Sequence, residues 1–287
     1  MVFSIRDLRD YDEMVALRRL QHEIWGFDEP GTGLYPPLLL TAAKNGGVVL
    51  GAFDEVSGQM VGFLFSFLGR EAGGPFKLCS QVMGVHKAWR GQGIAEALKQ
   101  IQRQRTVVLG LPLITWTFDP LEAPNAYLNL HKLRAISRTY WRDVYGSNFG
   151  ALNAGLPTDR LLMEWWVDGI WLAHAGGIED DIADEAPAIF ETTGSGAGLE
   201  ILQVNLAFDA DVVYLEIPAD VHPVKRVDMA LAADWRLKVR HAFEVYFGKG
   251  YIAVDFVSVQ LQGERRNRYV LQKATPELLG KIGVIMA

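Results

Sequence analysis

The chain has 287 residues, about half of them hydrophobic and 22% charged, which excludes a disordered chain and fits a globular one. Its net charge is 28 − 34 = −6, and thirteen acids and no Lys or Arg lie between Arg160 and Lys225, so no basic face for a nucleic acid is expected. The longest apolar run, Met60 to Leu68, is about half of the ~20 residues a bilayer demands, and one cysteine, Cys79, rules out an intrachain disulfide and a thiolate zinc cluster. A cytoplasmic protein with no membrane partner is the expectation.

In chain order, a short strand near Phe3–Leu8 precedes a helix opened by Asp10-Tyr11-Asp12-Glu13, which has capping-box spacing, and closed at Gly26. A second helix starts at Pro36 and ends near Asn45-Gly46. Val48–Phe53 and Met60–Leu68 read as a hairpin, Leu78–Val85 as a strand, and Gly93–Val108 as a helix with Ile94, Leu98 and Ile101 inward. Leu113–Phe118 is a strand, Asn125–Ala135 a helix, and Leu161–Val167 the last strand of a first domain over residues 1–167. Residues 168–198 are acidic and Gly-rich and predict a linker or long loop. Residues 199–287 predict a β-β-α-β-β unit: strands at Leu199–Leu206 and Val212–Ile217, a helix over Met229–Phe247 capped by Gly248, then Tyr251–Gln260 and Arg268–Leu271.

One segment carries chemistry. Met83-Gly84-Val85-His86-Lys87-Ala88-Trp89-Arg90-Gly91-Gln92-Gly93-Ile94-Ala95 runs from a strand through a glycine turn into a helix. Gly91 and Gly93 let the backbone turn tightly and let a ligand approach. Helix N-terminal amides and the positive dipole end suit a phosphate, and Arg90 adds charge. The segment is a poor dinucleotide fingerprint, because Glu96 stands at the third glycine and no acid follows in Leu113–Phe118. No P-loop Gly-Lys-Ser/Thr occurs, and the six histidines show no metal-ligand spacing.

Arg90-Gly91-Gln92-Gly93-Ile94-Ala95 matches the acyl-CoA pyrophosphate loop Arg/Gln-x-x-Gly-x-Gly/Ala, and with the element order the first 167 residues resemble the GNAT superfamily of acyl-CoA N-acyltransferases. Thr117–Leu121, Asn125–Leu133, Gly155–Arg160 and the extra C-terminal half are similar to a less-characterised subfamily. The resemblance implies a mixed α/β fold whose sheet is mostly antiparallel and splayed between its fourth and fifth strands. It also implies acetyl-CoA or another acyl-CoA as cosubstrate, no metal, and direct transfer to a small-molecule amine, with an amino acid among the candidate acceptors. A homodimer is compatible with it.

By the same resemblance Met83 and Val85 pair with the pantetheine arm, Arg90 to Ala95 hold the pyrophosphate, and Asn125 touches the cofactor. The family's Tyr-x-Lys-x-Gly segment aligns on Lys132, which puts Leu130 at the tyrosine and Arg134 at the glycine. The usual thiolate-protonating tyrosine is therefore missing, with Tyr127 and His131 as neighbours that could replace it. Asp119 and Glu122, just past the fifth strand, and Glu23 on the first helix are candidate bases. Asp119 before Pro120 is equally explained as a turn former, and a water chain could serve instead. The alternative function is a non-catalytic CoA-binding or regulatory protein.

Overall fold

The computed structural model describes residues 2–26, 33–70, 73–146, 155–173, 186–261 and 264–284. The described residues divide into two compact units, one formed by residues up to Trp116 together with Trp166–Asp168, the other by Thr117–Trp165 and residues 169–284.

The first unit runs β1 (Phe3–Asp7), α1 (Tyr11–Trp25), α2 (Pro36–Lys44), β2 (Val48–Asp54), β3 (Met60–Arg70), β4 (Phe76–Val85), α3 (Ile94–Val108) and the start of β5 (Leu113–Phe118). These are the elements the sequence predicts. The capping box forms as read: the Asp10 carboxylate accepts from the Glu13 amide, the Glu13 side chain accepts from the Asp10 amide, and Gly26 ends α1 at φ +65°. Strands β1 to β4 pair antiparallel in sequence order. Leu8, Met14, Leu17, Leu20, Leu39, Val49, Phe63 and Phe65 make one buried cluster.

Strand β5 is parallel to β4, and their register holds only Leu78↔Ile114 and Cys79↔Thr115. From Ser80 to Val85, β4 pairs with β3 alone among the described residues. The register of β3 and β4 slips there, Phe65 facing Val82 and Ser66 facing Ser80, so Gln81 is an extra residue on β4. A bulge bends its strand and stops pairing on the far side. The fork between the fourth and fifth strands therefore has a local cause at Gln81.

The second unit holds a short helix α4 (Ala123–Ala126) continuing as a π-turn over Tyr127–Lys132, then β6 (Ile136–Trp141), β7 (Arg160–Trp166), β8 (Phe190–Thr193), β9 (Glu200–Val204), β10 (Val212–Ile217), α5 (Val221–Val227), α6 (Met229–Gly248), β11 (Tyr251–Leu261), β12 (Glu264–Lys273) and α7 (Pro276–Ile282). Its main sheet has the order β7-β6-β11-β12-β10. Trp235 and Phe243 of α6 are fully buried, with Phe243 edge-on to Tyr269 at 5.1 Å.

Several boundaries differ from the sequence reading. Strand β6 was not predicted, and it pairs with β7 and, through Ser137↔Ala253, with β11. These pairings draw both strands into the second unit, so the compact units part inside β5 and not at Val167. The linker predicted over 168–198 contains β8, which pairs with β9 because Ile189 and Phe190 are buried, Phe190 edge-on to Trp235. Its residues 174–185 lie outside the described residues. The helical reading of Asn125–Ala135 stops at Lys132, and from Tyr127 onward its turns are π-type and not α-type. Gly248 is the last residue of α6 and not its cap; Lys249 caps it, and Gly250 at φ +83° takes the left-handed turn.

Candidate functional site

The predicted phosphate loop has the backbone the glycines suggested. Gly91 has φ +77° and Gly93 φ +81°, and a Cβ on either would meet nothing within 4 Å, so both are glycine for conformation and not for lack of room. Gly93 caps α3 with no side chain over the helix end, and the Ile94 and Ala95 amides belong to the first turn, which has no helical acceptor. Arg90 is exposed, and its Nε donates to the Val85 carbonyl at 3.3 Å, which pins the loop to the end of β4. Gln92 Nε2 donates to the Ala88 carbonyl at 3.4 Å.

Strand alternation decides which way β4 offers its backbone. The His86 amide donates to Val61 on the β3 side. Gly84 shares that side, so the amides and carbonyls of Val85 and Met83 face the other way, past the point where β5 pairing has ended. The open β4 edge at Met83 and Val85 thus leads into the glycine turn and the helix end; between them the Ala88, Trp89 and Arg90 amides are taken by His86 Nδ1 and by the His86 and Lys87 carbonyls.

At the fork itself sits a group the sequence reading passed over. Lys99 of α3 is 2% exposed. Its Nζ donates to Ser80 Oγ at 3.0 Å and to Gln102 Oε1 at 3.2 Å, and lies 3.7 Å from the centre of the Trp116 ring. No carboxylate is among these contacts, and burial pulls the amine from 10.5 down to about 7. The signal in the sequence was its place in α3: Lys99 follows Leu98, and Gln102 and Thr106 continue its buried row.

The remaining predicted site residues lie in the second unit. Asp119 is committed to other partners: Oδ1 accepts from the Leu121 amide at 2.8 Å, and Oδ2 meets Arg236 Nη2 at 2.5 Å and Arg160 Nη1 at 3.6 Å. The turn-forming reading of Asp119 holds, with an ion pair to a buried arginine added. Glu122 Oε1 meets His222 Nε2 at 3.0 Å in a small cleft also lined by Leu156, Lys225 and Arg236. Burial raises the Glu122 carboxyl above its usual range and lowers Lys225 below its own. Sequence reasoning found Glu122 but not His222, which lies about a hundred residues further along the chain.

His131 is oriented by Asp255, with Nδ1 to Oδ1 at 3.0 Å, and Tyr127 stacks on its ring at 4.7 Å. Asp255 also receives Arg134 Nη1 at 3.1 Å. Arg134 has φ +58°, so the residue aligned with the family's glycine does stand where a glycine would be unstrained. Leu130, at the tyrosine position, is fully buried. Asn125 is exposed on α4, and Glu23 is exposed on α1. Among the described residues no group of three or more His, Cys, Asp or Glu could hold a metal, and no helix is long and apolar enough to cross a membrane.

No family model matches the sequence, and no curated protein matches it. Solved structures similar to this one include acetyltransferases. A putative acetyltransferase from Acinetobacter baylyi is 18% identical, with 58% of this chain on 93% of that one at a TM-score of 0.47. A putative acetyltransferase from Salmonella typhimurium, solved with acetyl-CoA, is 18% identical over 58% of this chain and 95% of that one, at 0.46. The ribosomal-protein-S18-alanine N-acetyltransferase of Escherichia coli is 13% identical over 58% and 94%, at 0.45.

Proposed function

We propose that this protein is an acyl-CoA-dependent N-acyltransferase that moves an acetyl or other short acyl group directly to an amine. The observation that carries the reading is the combination on β4 and α3. A strand edge left open by the bulge at Gln81 leads into two left-handed glycines and an uncovered helix N-terminus. A pyrophosphate suits the helix end, where amides and dipole favour an anion and Arg90 lies beside it. A pantetheine arm carries amide groups of its own and suits the outward-facing backbone of Met83 and Val85.

In the transfer, the acceptor nitrogen attacks the thioester carbon, the C–S bond breaks, and CoA leaves as a thiolate. A backbone amide at the open β4 edge would stabilise the oxyanion as it develops. The thiol of CoA has a pKa near 8.5, so its departure needs little acid assistance. Asp119, tied to two arginines, is not free to take the amine's proton. A small-molecule amine, including an amino acid, is the acceptor class we favour.

The test is ligand-dependent stability followed by turnover. CoA at ~100 times its dissociation constant should stabilise the protein by about 2.7 kcal/mol. Gly93→Val forces a side chain into a left-handed residue, costing about 1–2 kcal/mol in the free protein as well, so the diagnostic is the difference with and without CoA. That difference should vanish in Gly93→Val and shrink partly in Arg90→Ala. Acetyl-CoA and a panel of amines should then give acylated product. Binding without product would favour a CoA-binding regulatory protein, a reading to which the buried Leu130 in the tyrosine's place lends weight.

A further inference from the structure

Lys99 stands where β4 and β5 part. The last paired residues are Cys79 and Thr115, and Lys99 Nζ touches the next residue on each strand, Ser80 by a hydrogen bond and Trp116 by its ring face. An extended arm entering at Val85 and running along β4 reaches Ser80 after five residues, about 16 Å at the rise of a strand. The reacting end of a pantetheine chain anchored at the loop therefore arrives at the fork.

A buried lysine without a carboxylate is expensive to keep charged and gives up its proton readily. Around Lys99, α3 itself and β1 to β4 carry charged side chains, and most of them have partners of their own. On β1, Arg6 meets Glu13 and Asp7 is held by Arg105; Asp54 of β2 accepts from Ser57, Arg70 of β3 donates to the Gly74 carbonyl, Arg103 donates to the Val167 carbonyl, and Lys77 of β4 and Glu96 of α3 are the remaining charged groups. Desolvation alone sets the state of the amine. Buried charged groups are normally paired with a counter-charge; a buried amine held only by neutral partners at a strand fork is a candidate for moving protons.

Resting on the acyl-transfer reading, we infer that Lys99 is a positioning residue that acts through the Ser80 hydroxyl to carry the proton of the transfer. The acceptor amine's nitrogen bonds to the thioester carbon, and its proton passes to Ser80 Oγ as the hydroxyl's own proton passes to the neutral Lys99 amine. The C–S pair leaves on sulfur, and the Lys99 ammonium returns the proton through the same hydroxyl to the CoA thiolate. Atoms and charge balance with acyl-CoA and amine alone. One amine thus serves first as acceptor and then as donor, in a chain whose thiolate-protonating tyrosine is replaced by Leu130.

The experiment compares wild type, Lys99→Met and Ser80→Ala. Acetyl-CoA binding is read from the melting temperature, and turnover from the release of CoA thiol with water or a panel of primary amines as acceptor, from pH 5.5 to 9.5. All three proteins should bind acetyl-CoA with KM values within about threefold. The wild-type kcat should climb with pH and level off above about 7. Both variants should lose that limb and roughly 100-fold or more in kcat, the range of a lost proton-transfer group. Variants that keep the limb and their kcat overturn the relay and leave acyl transfer standing. Wild-type binding without turnover overturns relay and transferase together, and absence of binding overturns the CoA loop as well. If Lys99→Met does not fold, Ser80→Ala decides alone.

Discussion

Lys99→Met removes a buried amine and keeps an unbranched apolar chain in its place, so the stability difference between variant and wild type isolates the titration of one group. Unfolded Lys99 keeps its proton up to about 10.5, whereas the folded protein releases it above about 7. Between those values the unfolded state binds more protons, and wild-type stability rises with pH. The slope is about 1.36 kcal/mol per pH unit, so this group alone contributes about 2.7 kcal/mol between pH 7.5 and 9.5, with a ceiling near 5 kcal/mol over the whole window. Lys99→Met lacks this contribution. Its advantage over wild type should be largest at pH 6.5, shrink by about 2.7 kcal/mol from pH 7.5 to 9.5, and approach the bare packing difference near pH 10.5. Urea unfolding of both proteins at each pH, followed by tryptophan fluorescence, measures it, and the tyrosines and carboxylates common to both cancel. Parallel stability curves from pH 7 to 9.5 would show that Lys99 titrates alike in folded and unfolded chains, and the reasoning would be refuted.

Asp119→Asn leaves Arg236, 2% exposed, without its charged partner, and should cost about 3 kcal/mol in urea unfolding whatever happens to activity. Glu122→Gln, tested beside it, should keep kcat within threefold if the proton travels through Ser80 and Lys99; a loss of ~100-fold with the acidic limb abolished would transfer that role to Glu122. Cys79→Ala should leave turnover within a few-fold and cost roughly 1 kcal/mol, because the thiol packs against the space left by Gly69, where a Cβ would come within 2.5 Å of Sγ. Ping-pong kinetics that disappear in this variant would instead mark an acyl-enzyme at Cys79.

The local half of this protein was written in its sequence. Capping at Asp10, Pro36 at the start of α2, the hairpin around Val48–Leu68 and the Gly91/Gly93 turn into α3 each depend on residues within a few positions of one another, and each formed as read. What tertiary structure decided were pairings made at a distance. Strand β6 is short and Ser137 and Arg138 break its apolar pattern, although Ile136, Thr139, Tyr140 and Trp141 favour a strand; its pairing with β7 and β11 places it, and moves the boundary between the units. Glu122 and His222, Asp119 and Arg236, and His131 and Asp255 are each about a hundred residues or more apart, so no spacing rule could join them. Lys99 is the sharpest case. Its position on the buried face of α3 was visible in the periodicity, but its missing counter-charge was not. Whether an amine is neutral or charged depends on what surrounds it, and here that is a serine, a glutamine and an indole brought together from β4, α3 and β5.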